Sequence, residues 1–471
     1  MTDAETIGRR EKGRPRAERH EAGKALRHKV PREAHADCPP ASERDPVAIL
    51  AETDAERIPE LLPIRYKRMA ASPFYFFRGA AAVMAHDLAQ FPQLGVGANV
   101  QACGDCHLMN FGAFSSAEGR ALFDINDFDE TLPGVDFTID LKRLATSVAV
   151  AARDAHMPDK KARAIARSAV KAYRDFMLDL AEKTPLEVWY ISMEIEKEVL
   201  RIEDAKLRER LLSTLVKAKK DLAADDNFPH LAEETGGEAH IEDRPPLIYH
   251  FTTETEKAQK IHAHSAFSGY GNTLLPERRA LFERYALRDL AMKVVGVGSV
   301  GTYCAVGLFM TPDEEPMFLQ VKEALHSVLE KIAPPSDEPR QQGRRVVEGQ
   351  RALQAASDLF LGWTKDVKSH RQFYVRRLKN RRLGSIGEVI EAKALEAYAN
   401  LCGRTLARAH ARTGDPALIA GYMGKSDVLD DALASFAMAY AAQTDHDHAL
   451  LVAAIDKSTG LPRARLSAVA E

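Results

Sequence analysis

The chain has 471 residues, with 65 Lys plus Arg against 68 Asp plus Glu and a formal net charge of −3. No global field exists to attract a polyanion, so nucleic acid is not expected as a partner. The five cysteines are Cys38, Cys103, Cys106, Cys304 and Cys402; an odd, sparse set describes no disulfide framework. No run approaches the ~18 apolar residues of a membrane span, and the basic N-terminus never reaches an apolar export core. A cytoplasmic protein without membrane partners is expected, folded as two or three compact units.

Residues 1–45 are rich in Arg, Lys, His, Glu and Pro, which leaves little apolar surface to offset ordering entropy and predicts a mobile basic arm. The aromatics Phe74, Tyr75, Phe76 and Phe77 precede a helix over 80–90, a short strand over 96–102, and a hairpin of 111–114 with 121–128. Helical periodicity then covers 140–153, 160–182 and 186–222. The acidic stretch 223–246, broken by Gly236-Gly237 and Pro245-Pro246, marks a boundary. After a helix over 276–291 the composition turns β-rich at 293–309 and 317–321, with a helix over 346–358 and a strand over 372–378. Leu395, Tyr398, Cys402 and Leu406 form one late helical stripe, and Leu429, Leu433, Phe436 and Tyr440 another. The expected division is 1–45 arm, 46–185 catalytic half of a large lobe, 186–285 helical insertion and linker, 286–380 small β-rich nucleotide lobe, and 381–471 C-terminal helices.

Two stretches carry chemistry. In Cys103-Gly104-Asp105-Cys106-His107-Leu108-Met109-Asn110, Asp105 precedes Asn110 by five residues, as the Asp precedes the metal-binding Asn in a kinase catalytic loop. Phosphoryl transfer needs a carboxylate near the attacking hydroxyl and an Asn plus Asp that hold magnesium on the phosphates. Asp127, on the following Asn126-Asp127-Phe128-Asp129-Glu130, fills the last place, with Asp124 as runner-up and Asp129 as further support. Magnesium retains waters and phosphate oxygens, so Asn110 and Asp127 suffice.

The second stretch spells G-x-G-x-x-G with Gly296, Gly298 and Gly301, followed by a strand rather than a helix. The loop therefore reads as a hairpin lid over phosphates rather than a dinucleotide turn. Lys322, in Phe318-Leu319-Gln320-Val321-Lys322-Glu323, resembles the strand lysine that contacts ATP phosphates. Glu348 is its expected helix partner, and Glu330 the alternative. The catalytic stretch precedes the glycine stretch by about 190 residues, the reverse of kinase order, which predicts a circularly permuted, two-lobed, protein-kinase-like α+β fold with large helical content.

Ser72-Pro73-Phe74, Arg78-Gly79, Gly104-Asp105, His107, Asn110-Phe111-Gly112, Asn126 to Glu130, Asp140-Leu141-Lys142-Arg143-Leu144 and Gln320 to Glu323 resemble the bacterial family called domain of unknown function 2252, over roughly residues 22–450. The distant likeness of that family to aminoglycoside phosphotransferases implies ATP-dependent transfer. The usual His before Gly-Asp is Cys103 here, which leaves the substrate class open.

Competing motifs are weaker. Cys103 to His107 satisfies the C-x-x-C-H of haem attachment, but that chemistry needs export. Asp445-His446-Asp447-His448 has metal-binding residue types at a polar helix end. Residues 421–426 resemble a P-loop except that Ile419 replaces its first glycine. The expected function is ATP- and magnesium-dependent transfer to an unidentified hydroxyl acceptor, with Asp105 as the catalytic base. Adenylylation on the same fold and a non-catalytic nucleotide-binding regulator are the alternatives.

Overall fold

The computed structural model describes residues 13–38, 44–202, 204–206, 208–209, 231–235, 238–250, 267, 269–294, 296–334, 340–367, 369–378 and 392–458. The chain opens with helices α1 (Arg16–Lys29), α2 (Pro46–Asp54), α3 (Leu62–Met69), α4 (Pro73–Gly79) and α5 (Ala81–Ala89). Asp45 caps α2 by accepting from Val47 and Ala48 N–H, and Ser72 caps α4 by accepting from Tyr75 N–H. Such oxygens satisfy donors that a helix start leaves open. Strand β1 (Asn99–Ala102) follows, then the antiparallel hairpin β2 (Phe111–Ser115) and β3 (Ala121–Ile125), and β4 (Leu132–Asp136) returns to pair with β1. Asp136 then caps α6 (Phe137–Asp154), most of whose residues are buried. Its buried residues include polar Asp140, Lys142, Arg143 and Ser147 beside the apolar ones, and α6 packs among α7 (Asp159–Ala181) and the C-terminal helices.

The sheet comes next. After a hairpin of β5 (Ala232–Thr235) and β6 (Glu238–Ile241), strands β7 (Ile248–Tyr249), β8 (Ala286–Lys293), β9 (Cys304–Met310), β10 (Pro316–Glu323), β11 (Gly362–Lys365) and β12 (Gln372–Arg377) form an antiparallel sheet ordered β11-β12-β10-β9-β8-β7. Every residue of β9 is buried, as a central strand covered on both faces requires. One face packs with Ile58 and Tyr270; the other packs with Ala232 and Ile241 of the β5–β6 hairpin. Helix α8 (Gln342–Leu353), between β10 and β11, lies on β11 and β12 and also reaches β1 and β4. It is the joint between the sheet and the first half. Helices α9 (Ala392–Thr413), α10 (Pro416–Met423) and α11 (Val428–Ser458) then close the helical half, with Leu395, Cys402, Leu406, Leu429, Leu433 and Phe436 in its core.

Three expectations are corrected. Residues 13–38 of the supposed arm are docked, because glycine contacts, charges and a few apolar side chains (Val30, with Ala22, Leu26 and Cys38) together seat them on the helical core. A Cβ on Gly23 would lie 2.1 Å from Leu418 O, and one on Gly421 2.1 Å from His20 O, so only glycines let α1 and α10 touch. Arg27 donates to Tyr422 O at 2.8 Å and to Gly421 O, and Arg32 to Met423 O at 2.7 Å; cations thus cover the open carbonyls at the C-terminal end of α10. The helix expected over 186–222 breaks into Pro185–Tyr190 and Ile195–Leu200, since Met193 O accepts Phe123 N–H at 2.8 Å and Leu122 bridges Glu194 along β3. The remainder of that call, from 210 onward, lies outside the described residues. The helix expected over 276–291 ends at Phe282, and 286–293 is β8, because pairing with β9 overrides local propensity.

Candidate functional site

The register of β1 on β4, Ala102 opposite Leu132, brings the turn after β1 and the turn before β4 side by side. Thr131 donates its hydroxyl to Ala102 O at 2.5 Å, and Asn126 N–H donates to Asn110 O at 2.7 Å. Gly104 has φ of 91°, and a Cβ there would lie 2.4 Å from Glu130 O, so both conformation and space demand glycine. Asp140, in the first turn of α6, accepts from the backbone N–H of Cys103 at 2.6 Å and of Gly104 at 2.9 Å. Its other contact is His410 Nε2 at 3.1 Å, and His410 Nδ1 meets the Tyr173 hydroxyl at 2.9 Å. This buried chain of groups holds the 103–110 turn in place.

Asp105 Oδ1 accepts from Arg143 Nε at 2.9 Å and Nη2 at 2.7 Å, leaving Oδ2 toward His107 Nε2, which at 3.6 Å is beyond hydrogen-bond distance. Burial pushes the Asp105 carboxyl above its ordinary value, and Arg143 works against that. Asn110 Nδ2 donates to Asp105 O at 2.5 Å, so its amide oxygen is the group left for a ligand. Asp127 accepts Asp129 N–H at 3.2 Å.

Asp129 joins the two halves. Lys322 Nζ, on β10, ion-pairs with its Oδ2, and the Tyr374 hydroxyl of β12 donates to its Oδ1 at 2.8 Å. Lys322 is only 2% exposed. Burial alone would depress its ammonium, but Asp127 and Asp129 outweigh that and hold it well above the ordinary lysine value. Arg345 of α8 adds bonds to Thr131 O at 2.6 Å, Asp129 O at 2.8 Å and Leu325 O at 2.8 Å. Glu130 receives Val328 N–H at 2.7 Å, and burial pushes its carboxyl up to about 7.

The glycine turn links β8 to β9, as the hairpin reading expects, but arginines anchor it. Arg57 donates to Val300 O at 2.7 Å, Arg65 to Gly298 O at 2.8 Å and Val297 O at 3.2 Å, and Arg68 to Gly296 O at 2.6 Å. Arg65 also donates to Gly79 O at 2.9 Å and ion-pairs with Asp54. The turn is therefore fixed to α3 and to the end of α4 rather than swinging freely.

These elements enclose a pocket of about 100 Å³. Asp105, Asn110, Asp127 and Asp129 line one side, Gly296 and Gly298 the other, with Arg57, Arg65, Arg78 and Cys103 between them. Gly301 packs on the Arg57 side chain instead. Glu348 does not reach Lys322: it pairs with Arg344, one helical turn away on the exposed face of α8, at 2.7 Å. Glu330 pairs with His326. Asp124 is buried against Arg408 and accepts Ala355 N–H at 2.9 Å, a tie between β3, α9 and the end of α8. Sequence reasoning did not single out Arg57, Arg65, Arg345 or Tyr374, which carry no spacing signature. Arg143 had one signal, its place in Asp140 to Leu144.

Cys103 Sγ lies 3.7 Å from Asp127 O, and the neighbouring Cys106 thiol together with burial pushes the Cys103 thiol well above its ordinary value. Burial pushes the Cys106 thiol up to about 11, which disfavours the thiolate a nucleophile or haem-forming thiol needs. Among the described residues, no group of three or more His, Cys, Asp or Glu is arranged to hold a metal ion, and no helix is long and apolar enough to cross a membrane.

The fold and pocket define an α+β protein in which a helical half and an antiparallel sheet share one charged site. The chain belongs to the family described as uncharacterized protein conserved in bacteria, DUF2252, whose profile matches residues 57–454. No curated protein and no solved structure matches it.

Proposed function

We propose that the protein is an ATP- and magnesium-dependent, kinase-like phosphotransferase acting on a hydroxyl acceptor, with its small nucleotide lobe permuted to follow the catalytic half. One observation carries this reading: residues of the acidic turn and of the glycine turn line one pocket, and the Lys322–Asp129 pair ties the acidic turn to β10 over 193 residues of sequence. Chain order is irrelevant to phosphate chemistry once the groups converge.

The donor set fits magnesium bound largely by phosphate oxygens, with Asn110 and Asp127 as its protein ligands, because both Asp129 oxygens already have donors. Magnesium, when bound, neutralises charge on the transferring phosphoryl group. Lys322 holds phosphate oxygens, exchanging part of its contact with Asp129 for them. Asp105 accepts the acceptor hydroxyl proton at Oδ2, while Arg143 fixes Oδ1 and the carboxylate's orientation. The pocket is smaller than the ~300–1,000 Å³ of ordinary ligand sites, so the arginine bonds that fix the glycine turn have to give way to admit a nucleotide.

Calorimetric titration of the full chain with ATP and magnesium tests the reading. Micromolar binding, weakened at least tenfold by Lys322→Ala and by Asp127→Ala, is expected; a wild type that binds no nucleotide overturns it. With an acceptor in hand, label from the γ-phosphate in the product marks phosphoryl transfer, and label from the α-phosphate marks adenylylation.

A further inference from the structure

Phosphoryl transfer as described above leaves the charge on the transferring group to magnesium and Lys322, although the pocket wall itself carries guanidinium groups. Arg65 is fully committed: Nη1 serves Gly298 O and Val297 O, Nη2 serves Gly79 O, and Nε pairs with Asp54. Arg57, in the link between α2 and α3, is not. Its Nη1 donates to Val300 O at 2.7 Å and its Nε ion-pairs with Asp54 Oδ1 at 3.1 Å, while Nη2 has no partner among the described residues. Burial lowers the Arg57 guanidinium, and Asp54, Glu130 and Asp129 work against that. Among the described residues it ion-pairs with neither Glu130 nor Asp129. The cation and these two acids therefore line the same pocket without closing on each other. We propose that Arg57 is a further catalytic residue, one that grips the terminal phosphate of the bound nucleotide and carries part of the charge that develops on it during transfer.

This role rests on the phosphotransferase reading. Nucleotide entry breaks the Val300 O bond, which frees Nη1 beside Nη2. Two parallel N–H groups then take two phosphate oxygens, the bidentate geometry that a guanidinium offers and an ammonium does not. Asp54 keeps Nε and so fixes the plane of the fork. Gly301, where a Cβ would lie 3.1 Å from Arg57 Cβ, leaves the arginine its room. In the transfer itself, the γ-phosphorus–oxygen bond to ADP breaks as the bond to the acceptor oxygen forms, the acceptor proton passes to Asp105 Oδ2, and Arg57 keeps all its protons. An arginine in this role supplies a rate factor on the order of 10³–10⁵ in nucleotide hydrolases that use one.

Calorimetry with ATP and with ADP, each with magnesium, and phosphate release with water as the acceptor compare the full-length wild type with Arg57→Ala, Arg57→Lys and Arg68→Ala. Arg68 anchors Gly296 O at 2.6 Å without lining the pocket, so its variant loosens the same turn and leaves the phosphate contact in place. Arg57→Ala is expected to lose at least tenfold in ATP affinity but less than threefold in ADP affinity, with phosphate release down on the order of 10³-fold. Arg57→Lys regains ATP affinity but not rate, and Arg68→Ala moves ATP and ADP affinity together. Equal ATP and ADP losses in Arg57→Ala, or an ATP-selective loss in Arg68→Ala as well, overturn the proposal and leave the nucleotide reading standing. A wild type that binds neither nucleotide overturns that reading, and tripolyphosphate with magnesium then decides for Arg57. Tripolyphosphate binding that Arg57→Ala abolishes keeps the phosphate contact; no binding, or binding that the substitution leaves unchanged, removes it. The affinity comparison decides alone where ATP binds without being hydrolysed, and Arg57→Gln carries the comparison if Arg57→Ala does not fold.

Discussion

Asp124 and Asp127 sit three positions apart, yet one faces Arg408 in the interior and the other faces the pocket. Asp124→Ala leaves the Arg408 guanidinium buried and uncompensated, so urea unfolding is expected to show a loss of about 3–5 kcal/mol. Asp127→Ala is expected to lower nucleotide affinity at least tenfold with a smaller stability loss, because Asp129 still faces Lys322. Asp105→Asn preserves shape and removes the base: turnover should fall on the order of 10²–10⁴-fold, while the nucleotide Kd moves little. Equal losses in turnover and affinity would mean that Asp105 binds rather than accepts a proton. His250 titrates away from the pocket. Its Nε2 meets Asp289 at 3.0 Å and its Nδ1 meets Asp243 at 2.7 Å, and these carboxylates raise it to about 9. A pKa raised above the ordinary ~6.5 contributes stability that is fully present below that value and is lost as pH rises through about 9. Thermal melts of wild type should therefore fall between pH 7 and 9 by more than those of His250→Gln.

The contact of α1 with α10 depends on two glycines, and Gly421→Ala places a methyl group against His20 O. Limited proteolysis should then cut within residues 13–38 of the variant while the C-terminal helices stay protected; an unchanged digestion pattern would show that the arginine bonds and the apolar contacts of Leu26 and Val30 hold α1 without the glycine contact. That docking was illegible in the sequence because its partner lies almost 400 residues away and it uses glycine contacts and a few scattered apolar residues such as Leu26 and Val30 rather than a long apolar stripe. Helices α6, α7, α9 and α11 were legible, since stripes such as Leu395, Cys402 and Leu406 repeat at helical spacing and bury together. The hairpin of β2 and β3 was legible as two short apolar runs joined by the polar turn Ser115 to Gly119. The 286–293 strand was not, because only its neighbour β9 decides between helix and sheet. Asp105, Asn110 and Asp127, and separately Gly296 and Gly298, were marked by two local patterns, and these residues line one pocket. The partner of Lys322 was misjudged: cross-lobe geometry selects Asp129, while Glu348 lies on the outer face of α8.

Across the whole molecule, the pocket acids and Lys322 belong to different elements, the turns beside β1 and β4 and the sheet strand β10, so a ligand that touches both stabilises their junction. Nucleotide at 100 times its Kd should raise unfolding free energy by about 2.7 kcal/mol, read as a higher Tm, and Lys322→Ala should abolish most of that rise. The same separation has a consequence for synthesis. Arg27 is made 395 residues before Tyr422, the carbonyl it covers. At about 5–20 residues per second, α1 waits roughly 20–80 s on the ribosome for its binding surface. During that interval α1 is out of the ribosome without its partner, a stretch for chaperones to hold until α10 has been made.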